Sequence, residues 1–239
     1  MASFVWGRNP QEAFDNPYEY DANEQFSEEA RSILKAMFTL LIAKNRQFTR
    51  IDASLEKAEW MLLLDSVDSL QESLQFLEEK RHRISSRLFR DVVENVDLVA
   101  FFQSDSEKAN IYLAKWHSGE FVPHRISREY ILDTEGEEAR KQRAEYYKQL
   151  SSFTHRTYKA LCDSFVLGSE DRLVHDIEYE SKLLVLPQVI SSYYSVLADL
   201  ILGVSQVLIN SKYYNSETLR ECWHEVLSGP SVPRRFFQR

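Results

Sequence analysis

The chain has 239 residues, 44% of them apolar, with only 6 glycines, 6 prolines and a formal net charge of −8. That composition excludes a disordered or fibrous chain and leaves enough apolar material for one substantial core. The acidic balance argues against broad, charge-driven binding of nucleic acid, although a small local site on RNA survives it. Two cysteines, Cys162 and Cys222, make no disulfide framework and have no metal-type neighbours, which fits a reduced, cytoplasmic protein. The opening MASFVWGRNPQEAF lacks the apolar core of a signal peptide.

Residues 1–27 mix acidic, aromatic and turn-forming side chains and read as an irregular arm. Ser27 before Glu28 and Glu29 suits a cap, and a first helix is expected to run to about Gln47. Asp52 is expected to open a second helix with Leu55, Leu63, Val67, Leu70, Leu74 and Leu77 on a bundle seam. A third covers about 85–103, with Phe89, Val92, Val96, Val99 and Phe102 on one face. Ser104 is expected to cap a short helix that Gly119 stops. The link EFVPHRISREYIL has room for one more helical turn. A fourth long helix, about 135–165, is expected to bury Tyr147, Leu150, Thr154, Leu161 and Phe165. RLVHDIEYES alternates and suits an extended segment. Pro187 fits the first turn of a fifth long helix reaching Ile209, and Ser216 caps a last one ending near Gly229. The apolar run Val196–Ile209 is broken by Asp199, Gly203, Ser205 and Gln206, which argues against a membrane span. No linker separates two cores. The expectation is all-α: a single bundle of six to seven helices over residues 28–229, followed by a basic aromatic tail at 230–239.

On the third helix Arg87, Arg90, Glu94, Asp97 and Phe101 recur every three or four residues and share one stripe. On the fourth, Tyr147, Ser151, His155, Tyr158 and Cys162 do the same. A carboxylate facing a histidine orients the ring, and a neighbouring arginine can hold a phosphate. The alternative is an interhelical polar network that fixes helix register. If both stripes border one seam, His155 lies within hydrogen-bonding reach of Glu94 or Arg90, directly or through one water.

The segment RDVVENVDLVAFFQSDSEKANIYLAKW, followed by YYKQLSSFTH, resembles a family of bacterial helical proteins of undefined function. Arg90, Glu94 and Asp97 fall on its first block, and Tyr147, Leu150, Ser151 and His155 on its second, over roughly residues 55–165. That family is similar to the abortive-infection and HEPN (nucleotide-binding) helical bundles. The resemblance implies a four-helix core and, as in many HEPN members, metal-independent RNA cleavage in toxin or antiviral defence. HEPN nucleases place four to six residues between an arginine and the catalytic histidine on one helix, whereas eleven separate Arg143 from His155 and three separate Arg220 from His224. No histidine here has that spacing, so Arg90 of another helix is the expected partner. In that scheme His155 is general base or acid, Arg90 stabilises the phosphate charge and Glu94 orients the ring, with Ser151 one turn away. Arg87, Tyr147 and Tyr158 are the candidate substrate contacts.

Glu79-x-x-His82 and Glu221-x-x-His224 match the pairs of di-iron bundles, but the first lies in a charged helix end and the second on a short terminal helix, and the two further carboxylates would have to come from Glu94 or Asp97 and another helix, so no metal or cofactor is expected. His82 reads as part of a charged helix end, and His117 and His124 as loop residues. The termini, with exposed-looking aromatics beside arginine, suit a partner protein or a homodimer. The two functions carried forward are an RNA-directed enzyme or toxin and a non-enzymatic scaffold or sensor.

Overall fold

The computed structural model describes residues 19–79, 81–154, 158, 161, 165–167, 170, 172–175 and 185–229. The fold is an all-α bundle with eight helices among those residues: α1 Glu19–Ile42, α2 Leu55–Glu78, α3 His82–Gln103, α4 Glu107–His117, α5 His124–Glu135, α6 Glu137–Thr154, α7 Val185–Asn210 and α8 Glu217–Ser228. Between α6 and α7 one short antiparallel hairpin pairs β1, Phe165–Leu167, with β2, Leu173–His175.

Four helices make the core. α2 lies along α3, α1 packs on α2, and α7 contacts all three. The apolar stripes that the spacing predicts on α2 and α3 point inward: Leu63, Val67, Leu70, Phe89, Val92 and Val99 are wholly buried. Burying a side chain of that size contributes about 1.5–3 kcal/mol, which is why the period of the stripe decides the face. α7 answers with Tyr193, Leu197, Ile201, Val204 and Leu208. Its stretch Tyr193–Asn210 is long and apolar enough to cross a membrane, and that apolar side faces the core. α5 and α6 form a second layer on the far side of α3, and α8 packs on α1.

Several boundaries differ from expectation. α1 starts at Glu19, so the final third of the expected arm is helical. Phe26 is wholly buried against the Tyr194 ring, and Ser27 donates to the Tyr194 hydroxyl at 3.4 Å instead of capping. Ser54 caps α2, accepting from the Lys57 amide, and Ser106 caps α4; Asp52 and Ser104 sit just outside. The stop at Gly119 holds, with φ +85°. The expected single turn after Pro123 is a full helix, α5, because Ile126 and Ser127 have a buried surface to cover. Gly136, at φ +90°, then breaks the chain between α5 and α6. Phe165 is a strand residue and 40% exposed, and Leu161 is also exposed, so neither is the buried helical position expected. The expected extended segment after residue 171 is β2. The C-terminal tail and the first eighteen residues lie outside the described residues.

Candidate functional site: a polar seam between α3, α5 and α6

Position i and position i+4 of a helix lie one turn apart on the same face. Arg90 and Glu94 of α3 use that spacing directly: Arg90 Nε donates to Glu94 Oε1 at 2.8 Å. From α6, the Tyr147 hydroxyl donates to the same oxygen at 2.5 Å. Burial pushes the Glu94 carboxyl up, but the bonds from Tyr147 and Arg90 and the guanidinium charge outweigh it and hold the group below its ordinary range. Burial, and then the bond to Glu94, push the Tyr147 phenol up. The Arg90 guanidinium also lies over the Tyr147 ring, 5.0 Å from its centroid. Arg128 of α5 lies 5.4 Å from the same centroid. One phenol ring therefore meets two arginines on two helices.

One turn further along α3, Asp97 is 2% exposed. His124 Nε2 meets its Oδ2 at 2.8 Å, and an Arg143 terminal nitrogen meets its Oδ1 at 3.2 Å. A carboxylate that deep requires both oxygens satisfied, so the imidazole Nε2 carries the proton and donates. The His124 ring packs at a tilt of 46° against Tyr147 with centroids 4.5 Å apart, joining the two halves of the seam. Its Nδ1 is buried and without a hydrogen-bond partner, as is Arg128 Nε.

The expected residues fare unequally. Arg90, Glu94 and Tyr147 come together as one group. Ser151 follows Tyr147 by one turn of α6 and is half-buried, Arg87 is exposed at the outer edge of α3, and Tyr158 is 78% exposed. His155 and Cys162 lie outside the described residues. Phe101, expected on the polar stripe, is 1% exposed and ringed by Phe102, Tyr112 and Tyr130. His124, expected in a loop, is the first residue of α5 and the hinge of the seam. His117 closes α4 and hydrogen-bonds the Ser54 carbonyl at 3.1 Å. Far from being part of a charged helix end, His82 is 1% exposed and packs at a tilt against Tyr193, with centroids 5.0 Å apart. Among the described residues no three His, Cys, Asp or Glu side chains gather as metal ligands.

Spacing in sequence misses His124, Arg128 and Arg143. The signal was present in part: His124 and Arg128 are one turn apart, as are Arg143 and Tyr147. What hid them was the link reading of residues 120–132, which gave the first pair no helix to share.

The class defined by these features is an all-α bundle carrying a charged, aromatic-centred seam on its second helical layer. No protein-family model, curated protein or solved structure matches the chain.

Proposed function

We propose that this chain is an HEPN-like, RNA-directed protein that takes the phosphate backbone on Arg90 and Arg128, with Arg87 and Arg143 at the edges of the same seam. The observation that carries this reading is the pair of guanidinium groups flanking the Tyr147 ring at 5.0 and 5.4 Å. Three arginines from three helices, Arg90, Arg128 and Arg143, converge on the seam in a chain of net charge −8. Arginine suits phosphate because its planar fork matches the oxygens, and an aromatic centre suits a stacked base. In the cleaving form of the reading His124, oriented by Asp97, takes the acid–base place that the sequence reading assigns to His155, without a metal. A bacterial, cytoplasmic setting in toxin or defence systems follows from the resemblance and belongs to the same proposal.

The second reading is a non-enzymatic scaffold. It is favoured by the way each seam carboxylate is met by two donors, as in a network that fixes helix register. Fluorescence anisotropy with a short single-stranded RNA separates the two. The RNA reading expects affinity to fall with salt at a log–log slope of about −1.4 to −2.1, the signature of two or three phosphates on a single strand. Arg90→Ala with Arg128→Ala is expected to weaken binding at least about tenfold while the melting curve persists. EDTA leaves both binding and any cleavage unchanged. Wild-type protein that ignores RNA at low salt leaves the scaffold reading standing.

A further inference from the structure

The loop between α1 and α2 is held on a fixed frame. The Lys57 ammonium donates to three of its carbonyls, those of Thr49, Arg50 and Asp52, at 3.0, 3.1 and 2.7 Å. Asp52 Oδ1 accepts from the Ser54 amide at 2.8 Å. Arg46 sits at φ +69°, a conformation that persists only where its surroundings fix it. Ile51, between two of the clamped carbonyls, is nevertheless 92% exposed. The loop after α4 is built in a similar way. Gly119 turns it, the Glu120 amide bonds back to the Lys115 carbonyl at 3.0 Å, and Phe121 is left 82% exposed. No other large apolar side chain among the described residues is as exposed as these two.

The two loops are neighbours. His117 Nε2 meets the Ser54 carbonyl at 3.1 Å, and that bond lies three residues past Ile51 and four before Phe121. The charges around them differ in what they have already bound. Lys44 pairs with Glu56, Asp52 takes the Ser54 amide, and Glu120 accepts from the Ser118 hydroxyl at 3.2 Å. Arg46 and Arg50 have no ion pair among the described residues. From residue 43 to 57 the cations Lys44, Arg46, Arg50 and Lys57 outnumber the anions Asp52 and Glu56, in a chain of net charge −8. A protein interface of ordinary size needs a continuous packed patch of about 800 Å² per partner. Here single apolar side chains stand among Arg50, Asp52 and Glu120. A lipid surface asks less: apolar tips that reach the acyl boundary, and cations left at the level of the headgroups.

We propose that this pair of loops docks the chain on an anionic lipid bilayer, with Ile51 and Phe121 entering the acyl boundary and Arg46 and Arg50 meeting the headgroup phosphates. The contact is peripheral: two side chains enter and no helix crosses. Because the Lys57 clamp and the Gly119 turn already hold the loops, little ordering is left to be done on binding. The surface shares no residue with the Arg90–Tyr147 group and does not depend on the RNA reading.

The test is co-sedimentation of the full chain with vesicles of phosphatidylglycerol and phosphatidylcholine, beside vesicles of phosphatidylcholine alone. Binding is expected on the anionic vesicles, to be much weaker on the neutral ones, and to fall as salt screens the headgroups. Arg46→Ala and Arg50→Ala are each expected to weaken it about fivefold. Ile51→Ser and Phe121→Ser keep every charge and are each expected to weaken it about tenfold. All four positions lie in loops, and a melting curve on each variant shows that it is folded. Ile51→Trp is the second check: brominated acyl chains are expected to quench its fluorescence beyond the quenching seen in wild type. No binding to the anionic vesicles, or binding unchanged in the double variant Ile51→Ser with Phe121→Ser, overturns the proposal.

Discussion

On the Tyr147 ring a carboxylate, two guanidinium groups and an imidazole meet. Tyr147→Phe keeps the ring contacts and removes only the donor to Glu94. The expected loss is about 1–2 kcal/mol in urea unfolding at neutral pH, as for a hydrogen bond to a charged group. Acid titration adds a second readout. Glu94 is held below its ordinary range, so its contribution is fully present above about 4.5 and lost as the pH falls through its folded value. In Tyr147→Phe that acid loss is expected to be smaller and to be complete at a higher pH. Asp199 has the opposite sign. Its carboxyl is raised to about 6, so the folded chain holds a proton that the unfolded chain has released, and stability falls as pH rises from about 4 to 6. Asp199→Asn is expected to be more stable than wild type by about 1 kcal/mol at pH 7.5, the full shift being discounted for solvent screening, and equal to it near pH 3.5. Thermal melts at the two pH values check this. The Arg90–Glu94 bond was legible from spacing because one turn of helix brings the two together whatever surrounds it. The partners of Asp97 were not legible, because His124 and Arg143 reach it only once α5 and α6 have docked on α3.

Among the elements, the α5–α6 elbow controls the seam, since Arg128 and His124 come from one arm and Arg143 and Tyr147 from the other. It turns at Gly136, where φ is +90° and a Cβ would meet open space. Gly136→Ala therefore strains the backbone without crowding it, at an expected cost of about 1 kcal/mol. Gly136→Asn is expected to cost less, since asparagine tolerates the left-handed region. Comparing the two melting temperatures separates conformational strain from lost space. α5 was hard to foresee because Pro123 and His124 stand at its start and obscure its period. Only Ile126 and Tyr130, one turn apart, betray an inward face. α1 raised the converse difficulty. Its first turns look like a polar arm, yet Gln25, Phe26 and Ser27 are buried. Phe26→Ala is expected to cost about 3–5 kcal/mol, as a large core residue does. Deleting residues 1–27 is expected to destabilise the chain at least as much, with chemical denaturation as the measure.

For the molecule as a whole, the α2–α3 pair was the most legible part, because each apolar stripe keeps one period along its helix and local contacts complete them. α7 closes the core differently. Ser27 with Tyr194, Ser205 with Met37 and Ser211 with Glu59 join residues 167, 168 and 152 positions apart. The inner wall of the bundle thus leaves the ribosome only after α1, α2 and α3 have done so. Until about residue 210 has emerged, α1, α2 and α3 present a long apolar trough with nothing to fill it, and α7, once out, is itself sticky. Closing such distant contacts is slow relative to forming local helices, and the waiting intermediate is the state most exposed to self-association. Folding yield of this protein is therefore expected to depend on synthesis rate and holdase supply more than on the strength of its finished core.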